Sequence, residues 1–232
     1  MGIFKQFVMG NRINRINYSI PGTEAVQKFI ILFYLVGITG IIIPWTNPLF
    51  LRLIPLALIL SFVILGIFHA GRWDSRILTV SLSIYLLGYA IEVIGVNSGL
   101  IFGEYRYGAG LGLKAFSTPL IIGINWLMLV YVTSSVTEKY NIRGFTGIIA
   151  ASLIMLLYDM VLEQVAPEMD MWHWENNQVP LQNYAAWFVM AVGFHSIFKA
   201  FKIKTRNSLA GVILICQFCF FLGLYFFFNI IK

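Results

Sequence analysis

The residues best placed to do chemistry in this chain are carboxylates set among aromatics. Glu92 stands thirteen residues before Tyr105, which opens a Tyr-x-Tyr pair with Tyr107. Asp159 stands thirteen residues before Trp172, which opens a Trp-x-Trp pair with Trp174. Further on, Pro119 lies seven residues before Trp126, and Pro180 lies seven residues before Trp187. Asn125 falls inside the first interval and Asn183 inside the second. The order acid, aromatic-x-aromatic, Pro-Leu, Asn, Trp is therefore used twice. Glu163 follows Asp159 by four residues, which puts both on one face of a helix. Glu104 abuts the Tyr pair, and His173 sits between the two Trp. Apolar surroundings and a neighbouring like charge favour the neutral form of a carboxyl group. A carboxylic acid that keeps its proton is what general-acid catalysis needs. Aromatic faces stabilise a nearby cation by ~0.5–2 kcal/mol each. The chemistry these types suit is proton transfer by a general acid, beside aromatic faces able to stabilise a cation.

Each group also has a plainer account. The acids could pair with Arg106, Lys114 or backbone donors and only hold helices together. Trp and Tyr gather at membrane interfaces whatever the function, and Trp45 and Trp73 are read that way. Glu168, Asp170 and Glu175 read as solvated loop residues. His195 reads as a hydrogen-bonded core residue, since no partners at metal-ligand spacing surround it. Cys216 and Cys219 lack a second pair and a redox context, and read as buried thiols. No metal site is expected.

The elements that position these residues follow from composition. Of 232 residues, 59% are hydrophobic and 11% charged, with mean hydropathy +0.82. That excess of apolar residues exceeds what a water-facing surface allows and points to an all-α, polytopic integral membrane helix bundle. Apolar runs predict about seven transmembrane helices, near 24–43, 49–68, 75–95, 118–137, 144–164, 184–201 and 208–230. Pro55 is placed near the start of the second, where a missing N–H matters least. Residues 1–23 form a basic, polar segment that does not read as a secretory signal. The remainder, 24–232, reads as one transmembrane domain. Its helices 3–4 (about 75–138) and 5–6 (about 144–201) read as parallel internal repeats, related by an axis along the membrane normal. That axis brings both acids and both aromatic pairs towards one cavity.

The net charge of +6 marks a membrane rim rather than a nucleic-acid surface. With seven crossings, Lys5, Arg12, Arg15, Lys28, Arg72, Arg76, Lys139, Arg143, Lys199, Lys202, Lys204 and Arg206 share one side. Arg52, Arg106, Lys114 and Lys232 take the other. This asymmetry predicts a protein of the cytoplasmic membrane, with the N-terminus cytoplasmic and the C-terminus outside. The acid-bearing loops then lie on the outer side.

At these motifs the chain resembles a known family. F-G-E-Y-R-Y-G at 102–108 after Glu92, T-P-L at 118–120 before Trp126, W-H-W at 172–174 after Asp159, and V-P-L-Q-N at 179–183 before Trp187 carry the likeness. They are similar to motifs of the membrane-bound carotenoid biosynthesis proteins, a family that includes carotenoid 1,2-hydratases of the bisanhydrobacterioruberin and γ-carotene type. The resemblance covers about 70–200, and the first, second and last helices match in character alone. It departs from the family's pattern at 109–112, Thr118 and Ala186. It implies a lipophilic carotenoid substrate, no cofactor, and other carotenoid biosynthesis enzymes as protein partners. The implied reaction is hydration of the terminal C=C of an acyclic end group. A carboxylic acid protonates the double bond, a tertiary cation forms, and water adds with a second carboxylate as base. On this reading Glu92 and Asp159 are the acid–base pair, with Glu104 or Glu163 in support. Tyr105, Tyr107, Trp126, Trp172, Trp174 and Trp187 wall the cavity, with His173 a further contact. Asn125 and Asn183 position the water. Three readings stay open beside it: an end-group cyclase or isomerase, a proton-coupled transporter, and a carotenoid-binding protein.

Overall fold

Seven helices follow the apolar runs closely in the computed structural model, which describes residues 22–231. They are α1 (Thr23–Ile42), α2 (Asn47–Ile67), α3 (Ser75–Ser98), α4 (Ile122–Lys139), α5 (Gly144–Glu163), α6 (Leu181–Ala200) and α7 (Ala210–Phe226). The basic segment 1–23 lies outside the described residues except for its last two. Local chemistry sets several boundaries. The Asp74 side chain accepts a hydrogen bond from Ile77 N at 2.9 Å and caps α3. Gly99, with φ +67°, closes the same helix in the left-handed region that favours glycine. Pro48 sits in the first turn of α2, so that helix begins earlier than expected, and Pro55 falls inside it rather than at its start.

α4 is the centre of the bundle and packs against α2, α3, α5, α6 and α7, while α1 packs on α2 and α7. Its Trp126, Met128, Leu129, Val130, Val132 and Thr133 are fully buried. Five helical segments are long and apolar enough to cross a membrane: Thr23–Ile42, Asn47–Ile67, Ser75–Ser98, Gly144–Glu163 and Ala210–Ile231. α4 and α6 do not reach that apolarity. α4 is walled by other helices rather than by lipid, so it buries polar residues such as Asn125, Thr133, Ser135 and Thr137. α6 carries His195 and Lys199. Exposed aliphatic side chains such as Leu32, Leu56, Leu82, Leu157 and Ile215 cover the outer faces of the spanning helices. An apolar surface of this extent suits hydrocarbon, not water.

Connections alternate between the two ends. The α2–α3 and α6–α7 connections meet where Ala70 N donates to Arg206 O at 2.9 Å. Glu138, near the end of α4, joins them by accepting from Thr205 N and Oγ1 and pairing with Arg206 Nε at 3.6 Å. The α3–α4 and α5–α6 connections meet at the opposite end. There β1 (Tyr105–Tyr107) pairs antiparallel with β4 (Trp172–Trp174). A hairpin of β2 (Lys114–Ala115) and β3 (Thr118–Pro119) follows β1, and Tyr89 Oη ties it to α3 by donating to Ala115 O at 2.7 Å.

Gly88 sets the distance between α3 and α4. A Cβ built there would lie 2.9 Å from Cβ and Cγ of Trp126. Gly88→Ala is expected to push the indole away, costing about 1–3 kcal/mol and a measurable drop in detergent Tm. An unchanged Tm would show that the two helices do not depend on this contact.

Candidate functional site

The end of the bundle that carries the β1–β4 ribbon holds three buried carboxyls. Glu92, in the last two turns of α3, is 3% exposed. Its Oε2 accepts from Tyr105 Oη and Tyr107 Oη, each at 2.7 Å, and its Oε1 accepts from Trp126 Nε1 at 2.9 Å. Alternation along β1 turns both phenols to the same face, and α4 supplies the indole. Burial, reinforced by the Glu92 charge, pushes the hydroxyls of Tyr105 and Tyr107 above their usual range, so both stay protonated donors. Three donors, two phenols and one indole, thus converge on one buried carboxyl.

Glu163, the last residue of α5, is held in the same manner. Its Oε2 accepts from Trp172 Nε1 at 2.8 Å and Trp174 Nε1 at 2.7 Å, and its Oε1 from Asn183 Nδ2 at 3.0 Å. Asp159 lies one turn earlier on α5 and is fully buried. Its Oδ2 shares the Asn183 amide at 3.3 Å, and its Oδ1 has no partner. Spacing matched Asp159 to Glu92, whereas hydrogen bonding gives Glu163 the counterpart role: each glutamate is gripped by its own aromatic-x-aromatic strand. The ion pairs among the described residues are Lys28–Glu24, His173–Asp170 and Arg206–Glu138. None involves the three buried acids, so no Lys or Arg among the described residues forms an ion pair with them. Lys114 Nζ instead donates to Tyr107 O at 2.6 Å.

The two halves meet face to face. Tyr105 pairs with Trp174 and Tyr107 with Trp172 across the ribbon. Behind them Trp126 and Trp187 stack at 4.2 Å and 23°. Glu92 and Glu163 wall one small pocket of about 20 Å³, with Tyr105, Tyr107, Trp174 and Asn183 among its lining. That volume admits one water, which needs ~10–15 Å³ and two to four polar partners. Beside it lies an apolar cavity of about 240 Å³ between α1, α2, α4, α5 and α7. Ile122, Asn125 and Trp172 line both spaces and form the wall between them.

Among the expected site residues, Glu92, Asp159, Glu163, Tyr105, Tyr107, Asn125, Trp126, Trp172, Trp174, Asn183 and Trp187 converge here. Glu104 and His173 do not. Glu104 is exposed on the ribbon's rim, where its carboxyl raises the pKa of the exposed Glu175. His173 occupies the outward-facing register opposite Arg106 and bonds Asp170 at 3.0 Å. That bond, with one from Ala109 N–H, holds the Asp170 carboxyl below its usual range. His195 is a satisfied core residue, bonded to Ala191 O and Thr133 Oγ1. No cluster of metal-ligating side chains occurs among the described residues. Sequence reasoning missed Ile122, Tyr158, Leu162 and Gln217, which line the pocket or the cavity. The first three look like ordinary membrane-helix residues. Gln217, an amide inside the last apolar helix, was the one signal available.

A family model described as carotenoid biosynthesis protein matches residues 53–232. The chain is also similar to the bisanhydrobacterioruberin hydratase of Haloarcula japonica, with 28% identity over 140 residues. The match covers 55% of this chain and 45% of that protein, so the chain spans about half the length of the curated relative it matches. No solved structure matches.

Proposed function

Because this chain belongs to the family of carotenoid biosynthesis proteins, we propose that it hydrates the terminal C=C of an acyclic carotenoid end group. The observation that carries the proposal is the water-sized pocket between Glu92 and Glu163, set against an apolar cavity. The hydratase named above adds support through its similarity to this chain.

The residues divide the work by their hydrogen bonds. Asp159 and Glu163 form one acid unit, joined through Asn183 and holding one proton, because two buried like charges so close disfavour full ionisation. Glu163 passes that proton to the less substituted carbon of the double bond, which leaves the unit without a proton until it is reloaded. The C=C electron pair forms the new C–H bond and leaves a tertiary cation. Tyr105, Trp172, Trp174 and Trp187 wall the pocket and stabilise the cation. Water attacks the cationic carbon, and Glu92 takes a proton from it. Loss of that proton from Glu92 and reloading of the acid unit complete the cycle, with one water added. Asn125, at the wall between the two spaces, orients the end group or the water. Glu104 and His173 have no role in these steps.

We read α4 and α6 as crossings too, giving seven spans and parallel α3–α4 and α5–α6 repeats. The Lys and Arg distribution supports a cytoplasmic N-terminus, with the acids near the outer face of the cytoplasmic membrane. Other carotenoid biosynthesis enzymes are the protein partners that this role implies. Expression in cells that make an acyclic carotenoid is expected to yield a pigment heavier by one water, seen by mass spectrometry of extracts. A cyclic isomer of unchanged mass would replace this reading with cyclisation. An unaltered pigment profile would leave transport or binding.

A further inference from the structure

Resting on the carotenoid reading, we infer that the protein grips only the reacting end of its substrate. The rest of the polyene stays in the bilayer, and the chain enters sideways from lipid between α1 and α2.

The length of the apolar cavity leads there. Its wall runs along α2 from Phe50 to Leu60 and along α1 from Phe33 to Ile41. At 1.5 Å per residue these stretches are ~15 Å and ~12 Å long. The hydrocarbon core is ~30 Å thick, so a polyene that spans the bilayer has about half its length outside the cavity.

The mouth points to lipid. Val36, Leu53 and Leu56 line the cavity and are also 49%, 37% and 59% exposed, on the outer faces of two apolar spans. At its inner side the cavity adjoins the acid pocket, through Ile122, Asn125 and Trp172. An apolar chain lying along the cavity therefore brings its terminus to the carboxyls.

Little in the cavity is equipped to read a far end. Tyr34 Oη is bonded to Ser61 Oγ at 2.8 Å, and Tyr158 Oη donates to Gln217 Oε1 at 3.4 Å. These polar groups satisfy one another, and the remaining walls are almost wholly aliphatic or aromatic. Recognition is thus confined to one terminus and the stretch beside it. A substrate with two identical ends is processed one end at a time, by release and rebinding.

The test is binding, measured by quenching of tryptophan emission in lipid nanodiscs. The probes are linear polyenes that share one acyclic end and differ in length and in the far terminus. Affinity is expected to rise until the chain fills ~15 Å, then stay within about threefold whether the far end is acyclic, ringed or hydroxylated. Ala57→Phe, which fills the cavity wall, is expected to weaken binding of every chain about tenfold or more. It also gives the background quenching from polyene dissolved in the disc. An affinity that keeps rising to bilayer-spanning length, or that changes about tenfold or more with the far terminus, would overturn the inference. The length series uses the unaltered protein, so it stands even if the variant fails to fold. A plateau without a hydrated product would reject hydration and keep the end-only grip. A hydrated product without a plateau would do the reverse.

Discussion

Glu92→Gln is expected to cut hydrated product by ~10²–10⁴-fold, the range that general acid–base catalysis supplies, in a protein that still folds. Glutamine keeps the volume of Glu92 and an oxygen for the Trp126 indole. It replaces the Oε2 acceptor of two phenols with an amide N–H₂. The phenol oxygens can accept from that amide, so the network survives with its direction reversed. What is lost is a negative charge able to take a proton from water. Tyr105→Phe and Tyr107→Phe each remove one donor to that charge. A hydrogen bond to a charged group contributes ~1.5–3 kcal/mol, so each should lower turnover by roughly ten- to a hundredfold. Turnover is read by extraction and mass analysis, and folding by Tm in detergent. Full turnover in Glu92→Gln, with Tm close to that of the parent, would remove Glu92 from the reaction.

The helices were legible because lipid imposes one rule on every spanning segment, and apolar runs reveal it. α4 shows where that rule stops. Its neighbours are protein, so Asn125, Thr133 and Thr137 can be buried there, and its apolarity falls short of a span read on its own. The aromatic pairs were legible as a pattern, but their pairing as β1 and β4 was not. Three-residue strands leave too short an alternation to see, and they are fixed by contacts over more than sixty residues. The spacing of thirteen from acid to aromatic singled out Asp159 over Glu163. Spacing counts residues, whereas the loop after α5 folds back so that Glu163 meets the indoles. His173 was misleading because the residue between two inward side chains of a strand must face outward. The apolar cavity left no pattern, because a lipid-facing helix and a substrate-facing helix use the same side chains.

The division of labour between Asp159 and Glu163 gives the second large effect. If the two carboxyls share one proton through Asn183, they act as one unit and their losses do not multiply. Asp159→Asn and Glu163→Gln are each expected to lower kcat by ~10²–10⁴-fold. The double variant should fall no further than about threefold below the worse single, since the second change removes a partner already idle. Stability should move the other way. Asp159 Oδ1 is buried without a partner, and a buried group left unpaired costs ~1–3 kcal/mol, more when charged. Asparagine cannot carry that charge, so Asp159→Asn should melt at or above the parent temperature while losing activity, as expected where a site is kept at the expense of the fold. Asn183→Leu separates this account from a purely structural one. It removes the shared donor but neither carboxyl, so it should impair turnover and change its pH profile. A double variant whose loss equals the product of the two singles would show that Asp159 and Glu163 work independently. A clear fall in Tm for Asp159→Asn would show that the aspartate holds the helices rather than the proton.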